Sequence, residues 1–122
     1  MASGDVSFPK ATGDSGAKGA PIAIDQTGSP YTTLHTSSSS SAPTYVDVVT
    51  IEAWNIDTVT RTLTLLVNGT GDANKVVVEL APGVGPQVIV DRWPSWNGCT
   101  WKAFASSANK INVKVQVERY EE

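Results

Sequence analysis

The sequence predicts an all-β protein: an antiparallel β-sandwich, jelly-roll-like with an immunoglobulin-like arrangement as the alternative, carrying an extended N-terminal arm. Three observations lead there. Near the C-terminus Ile111, Val113, Val115 and Val117 alternate strictly with Asn112, Lys114, Gln116 and Glu118. Period-2 alternation sets one strand face on a core and the other in water, as is usual in antiparallel sheets. Similar short runs recur from Tyr45 onward, about 10–15 residues apart and punctuated by Gly, Asn and Pro. No window of useful length shows a 3.6-residue period with caps, so little or no helix is expected.

Taken in order, residues 1–44 read as the arm. Gly4, Gly13, Gly16, Gly19 and Gly28 are scattered through it, and positions 37–41 are all serine. Its large apolar residues are few: Val6, Phe8, Ile22, Ile24, Tyr31 and Leu34. Such a segment buries too little apolar surface by itself to offset the entropy of ordering it. Residues 21–24 and 31–36 become short strands only where another surface receives them. Phe8, Ile22, Ile24, Tyr31 and Leu34 are accordingly the arm residues expected to contact a partner.

Residues 45–122 form the predicted body. Over 45–54, Val49, Ile51 and Ala53 share one face, and Val46, Val48, Thr50, Glu52 and Trp54 the other. Residues 61–67 align Leu63, Leu65 and Val67; residues 75–81 align Val76, Val78 and Leu80. A short run follows at 87–92, then Trp101, Ala103 and Ala105 align over 100–105, and the terminal strand closes the set. The breaks are residues 55–58, 68–74, 82–86, 94–98 and 106–109, where Gly and Asn supply positive φ and Pro presets a corner. Six strands of the body plus one or two from the arm make a sandwich. A body this small gains from oligomerisation, which covers exposed faces and edges.

Composition narrows the chemistry. Charged residues are 17% of the chain and the net charge is −3, with Lys and Arg dispersed. Phosphate neutralisation has no basic cluster to use, so nucleic acid is not an expected partner. Cys99 is the single cysteine, which precludes an intrachain disulfide and reads as a small buried or half-buried hydrophobe suited to a reducing cytosol. No apolar run approaches the roughly eighteen residues that cross a bilayer. Residues 1–5 lack the basic start and apolar centre of a signal peptide. A soluble chain, without a membrane partner, is expected.

The search for a reaction centre finds little. His35 is the single histidine; placed in the arm, it reads as a surface or interface residue, since a general base must be held rigidly beside its nucleophile. One Cys and one His do not supply a zinc site. Asp57, Asp72 and Asp91 sit at turns or strand ends, yet no calcium-loop spacing joins them. Glu52 and Glu79 lie mid-strand and read as solvated carboxylates, not as a glycosidase pair. Asn68-Gly69-Thr70 matches a glycosylation sequon, but Asn-Gly is accounted for as a turn. Gly83 and Gly85 lack the Lys-Ser/Thr of a phosphate loop. The expectation is a protein that is not an enzyme and holds no cofactor or metal. The sharper feature is aromatic: Trp93, Trp96 and Trp101 fall within nine positions, in and around a predicted loop. Trp93 and Trp96 are candidates for stacking on a sugar or anchoring a protein interface, against the plainer reading of core filling.

Residues 54–57 and 61–65, together with Lys102 to Asn109 and the strand that follows, resemble small all-β virion proteins of tailed double-stranded-DNA bacteriophages, the head decoration (cement) and head-fibre-base proteins. The resemblance spans about residues 45–120 and is one of pattern. It implies a homotrimer on the capsid surface, made in the host cytoplasm, that binds the major capsid protein and performs no catalysis. Cementing suits an extended arm, which at full stretch reaches about 145 Å over forty-four residues. The alternative function is a sugar- or receptor-binding module such as a virion fibre base, using Trp93 and Trp96.

Overall fold

Alternating side chains and turn residues build nine strands in the computed structural model, which describes residues 6–7, 19–40 and 44–121. They are β1 (Val6–Ser7), β2 (Ile22–Ala23), β3 (Thr32–Thr36), β4 (Tyr45–Asn55), β5 (Arg61–Val67), β6 (Lys75–Leu80), β7 (Gln87–Ser95), β8 (Thr100–Ala105) and β9 (Ile111–Glu121). Helical structure among the described residues is confined to a single 3-10 turn at Asp72–Asn74.

Two antiparallel sheets result. In the first the order is β1-β9-β4-β7, with β2 also pairing on β9; in the second it is β3-β8-β5-β6. The pairs β2·β9, β3·β8, β4·β7 and β5·β6 are nested like the two arms of one long hairpin. Successive pairs alternate between the sheets. An antiparallel ribbon rolled in this way is a jelly roll, and it selects that arrangement over the immunoglobulin-like one.

The core lies where the two inward faces meet. Val49, Ile51 and Ala53 of β4, Leu63 and Leu65 of β5, and Trp101, Ala103 and Ala105 of β8 are buried there. Ile111, Val113, Val115 and Val117 of β9 join them. Each inward set is one of the predicted faces, because the period of the pleat is two. Burying each large aliphatic side chain contributes about 1.5–3 kcal/mol relative to exposure.

Much of the segment expected to be an arm belongs to the sandwich itself, as strands β2 and β3. Ile22 is 3% exposed, and Ile24 and Leu34 are fully buried in the core. The surface that receives them is the chain's own sandwich: Ile22 pairs with Val113, and His35 with Trp101. These three residues are therefore unavailable to a partner molecule, and the boundary drawn at 44/45 cuts through the fold. Tyr31 is half-buried, with its ring centroid 5.7 Å from that of Phe104. Phe8 lies outside the described residues. The composition of residues 19–40 concealed their burial because two short strands need few apolar side chains when a sheet edge and core are waiting.

A second departure concerns β7. It runs on to Ser95, past the predicted end at Arg92, with register shifts against β4 around Val49, Ile51 and Glu52. Arg92 takes a φ of 52° within this irregular edge strand. Such bulges twist an edge away from further pairing. The turn into β8 is therefore shorter than expected and begins at Trp96.

Turn chemistry elsewhere is as expected. Asn68 has a φ of 55°, and a Cβ on Gly69 would stand 2.8 Å from the Asn74 amide oxygen. Asn74 also donates from its side chain to the Val67 carbonyl, 2.9 Å, so glycine is required for that close approach. Asn55 secures the opposite end by donating to the carbonyls of Val59 and Leu80, at 2.8 and 2.9 Å.

Candidate functional site

Asp47 occupies an inward position of β4, in phase with Val49, Ile51 and Ala53, and its side chain has no exposed surface. Its direct cross-strand neighbours are Arg119 on β9 and Ser95 on β7. From the other sheet, β3 brings His35, 1% exposed, against the same carboxylate. The end of the sandwich nearest the β7–β8 turn is thus closed by a polar cluster.

The carboxylate accepts on both oxygens. Arg119 donates from Nε to Oδ1 at 2.7 Å and from Nη2 to Oδ2 at 3.0 Å. His35 Nε2 lies 2.9 Å from Oδ2, and the Ser38 amide donates to the same oxygen at 3.2 Å. An ionised carboxylate can only accept, so His35 carries a hydrogen on Nε2. Burial alone would raise the Asp47 pKa; the hydrogen bonds from His35 and Arg119, with the Arg119 charge, outweigh it and bring the group down to about 2. In return, the Asp47 carboxylate raises the Arg119 pKa. The Arg119 guanidinium also stands 5.8 Å from the Tyr45 ring centroid, a cation–π arrangement. Among the described residues, His35 Nδ1 and Ser37 Oγ are buried without a hydrogen-bond partner.

A chain of contacts runs from this cluster to the surface. Ser95 donates from Oγ to the Asp47 carbonyl at 3.1 Å and accepts from the Trp101 indole N–H at 3.4 Å. Trp101 is fully buried and meets Trp93 edge to face, with centroids 5.3 Å apart and planes at 89°. Trp93 and Trp96 are each 42% exposed. Of the predicted tryptophan loop, then, Trp101 is core and Trp96 opens the turn. Trp93 belongs to strand β7 and not to a loop.

His35 was expected at a surface or interface; it is buried instead, because β3 is an integral strand and Asp47 supplies its partner. The sequence reading also passed over Asp47, Ser95 and Arg119. A usable signal existed: Asp47 and Arg119 are charged residues in phase with the buried faces of 49–53 and 111–117. A charge at a core position implies a partner for it.

The other sequence candidates are dispersed. Glu52 faces outward on the first sheet opposite Lys114, and Glu79 faces outward on the second opposite Thr62, so the two carboxylates never face one another. Asp57 is held by Arg61 at 2.6 Å; its pKa is lowered by the Thr58 amide first and then by Arg61. Asp72 lies 3.4 Å from Lys75 in the β5–β6 turn, fully exposed and apart from the buried Asp47 carboxylate. Among the described residues no group of three or more His, Cys, Asp or Glu side chains is arranged to hold a metal ion. Cys99 is half-buried against the core, where burial raises its thiol pKa.

On the outer face of the first sheet, Arg92 reaches across β4 to β9. It donates to Glu118 at 2.6 Å and to the Tyr120 hydroxyl at 3.2 Å, and Tyr120 donates in turn to Glu118 at 2.7 Å. The bonds from Arg92 and then Tyr120 lower the Glu118 pKa. The site as a whole offers an end of the sandwich closed around a fully paired Asp47 carboxylate, with two part-exposed tryptophans at that end. No protein-family model matches the chain, and no curated protein matches it.

Proposed function

We propose that this chain is a non-catalytic virion structural protein of a tailed bacteriophage, which decorates and cements the head shell as a homotrimer. The observation that supports this reading is the alternating nested ribbon of a jelly roll, an architecture that recurs in viral capsid proteins. The pattern resemblance over residues 45–120 points the same way. Because Ile22, Ile24 and Leu34 are core residues, attachment falls to the body's surface. Ile56, Val59 and Val84 are 56%, 49% and 59% exposed on the connections β4–β5 and β6–β7, which share one end of the sandwich. Apolar side chains grouped in this way suit burial against a major capsid protein.

The deciding experiment is co-sedimentation of the full chain with assembled shells of the major capsid protein, and in parallel with its unassembled subunits. Preferential binding to shells is expected, with Ile56→Asp and Val84→Asp each weakening it about tenfold or more while the body stays folded. Sedimentation equilibrium should give three times the 12.9 kDa chain mass. A monomer that ignores shells would refute the reading.

A further inference from the structure

Trp93 and Trp96 present large ring surfaces at the end of the sandwich opposite Ile56 and Val84, and the surroundings of the two rings differ sharply from that apolar end. Trp93 is braced. Its partner Trp101 is fully buried and tied through Ser95 to the Asp47 main chain. The Trp96 turn is also built: the Cys99 amide donates to the Trp96 carbonyl at 3.0 Å, with Asn97 and Gly98 at φ 54° and 72°. Neither indole position depends on a partner to form it.

Alongside this turn runs the serine segment. The Ser37 amide donates to the Cys99 carbonyl at 2.9 Å, and the Gly98 amide to the Ser38 carbonyl at 3.4 Å. Ser39 packs against Gly98, its Cβ 3.8 Å from where a Gly98 Cβ would stand. Ser39, Ser40 and Asn97 are exposed, Asn97 directly after Trp96 and Ser39 against Gly98 of the same turn. Arg92, next to Trp93 in the chain, is committed to Glu118, and Arg119 to Asp47. The result is two part-exposed indoles at one end of the sandwich with exposed neutral polar residues in the same turn and the adjoining serine segment, on a chain whose net charge is −3.

We infer that Trp93 and Trp96, with Ser39, Ser40 and Asn97, form a binding platform for a neutral oligosaccharide. The apolar C–H face of a pyranose ring stacks on an indole, and its hydroxyls exchange hydrogen bonds with serine and amide groups. A polyanion would find no uncommitted guanidinium here. An apolar peptide would leave the hydroxyls unpaired, at a cost in desolvation.

Tryptophan emission of the full chain, titrated with maltohexaose, cellohexaose and chitohexaose, tests the assignment, with heparin as the polyanion comparison. At least one neutral sugar should produce a saturable shift. Trp96→Ala should weaken that binding about tenfold, the order expected for one lost aromatic contact. Trp96→Phe and Trp93→Phe, which keep an aromatic ring and so guard against misfolding, should weaken it less. Absence of a saturable shift with all three sugars overturns the inference, as does a response to heparin alone or unchanged affinity in the Trp96 variants. Capture by phage shells that requires Trp96 without any sugar response also overturns it, and leaves the decoration reading intact. The two proposals therefore fail separately.

Discussion

Asp47 and Arg119 stand directly opposite each other on β4 and β9, joined by two hydrogen bonds of 2.7 and 3.0 Å inside the end of the sandwich. His35 from the other sheet completes the pair at 2.9 Å. Most contact between the two sheets is apolar, which tolerates sliding; this cluster, and the Asn55 bond to the Leu80 carbonyl at the other end, specify how their ends meet.

Breaking the cluster from one side should be expensive. Asp47→Ala leaves the Arg119 guanidinium without its carboxylate and His35 without its acceptor. The expected loss is about 3–5 kcal/mol of unfolding free energy, as for a buried pair deprived of one partner. Urea denaturation at neutral pH measures it, and a loss below about 1 kcal/mol would show the pair to be solvent-screened in practice.

The same carboxylate sets an acid limit. Its pKa falls from 3.8 to about 2 on folding. The folded state thus binds this proton less readily than the unfolded state, and the stabilisation is fully present above pH 3.8. It fades as pH falls through the folded value, and amounts to about 2 kcal/mol. Unfolding free energy measured from pH 5 downward should drop by about that much more in the wild type than in Asp47→Asn. Parallel curves would mean the group is not perturbed.

Residues 19–36 should prove indispensable to the body. Leu34→Ala is expected to cost about 2–5 kcal/mol, the range for deleting a buried leucine side chain. A chain starting at residue 40 lacks β1, β2 and β3, exposes the edges of β8 and β9, and should show no dispersed amide spectrum by NMR. A well-folded truncated body would contradict the packing of Ile24 and Leu34.

Gly69→Ala tests a tight turn. Its Cβ would approach the Asn74 side chain to 2.8 Å, and that side chain is bonded to the Val67 carbonyl. A destabilisation of about 1–3 kcal/mol is expected from crowding and the displaced bond. Thermal unfolding of the variant gives the value, and Gly28→Ala, with open space around its Cβ, serves as the control.

The fold class and most strand faces were legible in the amino-acid order. Val49, Ile51 and Ala53, or Ile111 to Val117, announce their burial because alternation is a local property of the pleat. The turns at Asn68-Gly69 and Asn97-Gly98 were readable for the same reason, since positive φ is written in residue type. The site was less legible. Asp47 and Arg119 broke the pattern of their own strands, but the partner that each required lay 72 positions away.

What the sequence by itself determined is the set of strands, the faces they bury and the corners between them, all consequences of neighbours within a few residues. Tertiary structure alone decided that the ribbon rolls into alternating sheets. It also took Ile22, Ile24 and Leu34 out of an apparent arm into the core, and gathered His35, Asp47 and Arg119 into one cluster. The reason is physical: pairing register and burial depend on contacts between distant segments, whose free energy appears only when another surface is there to receive them.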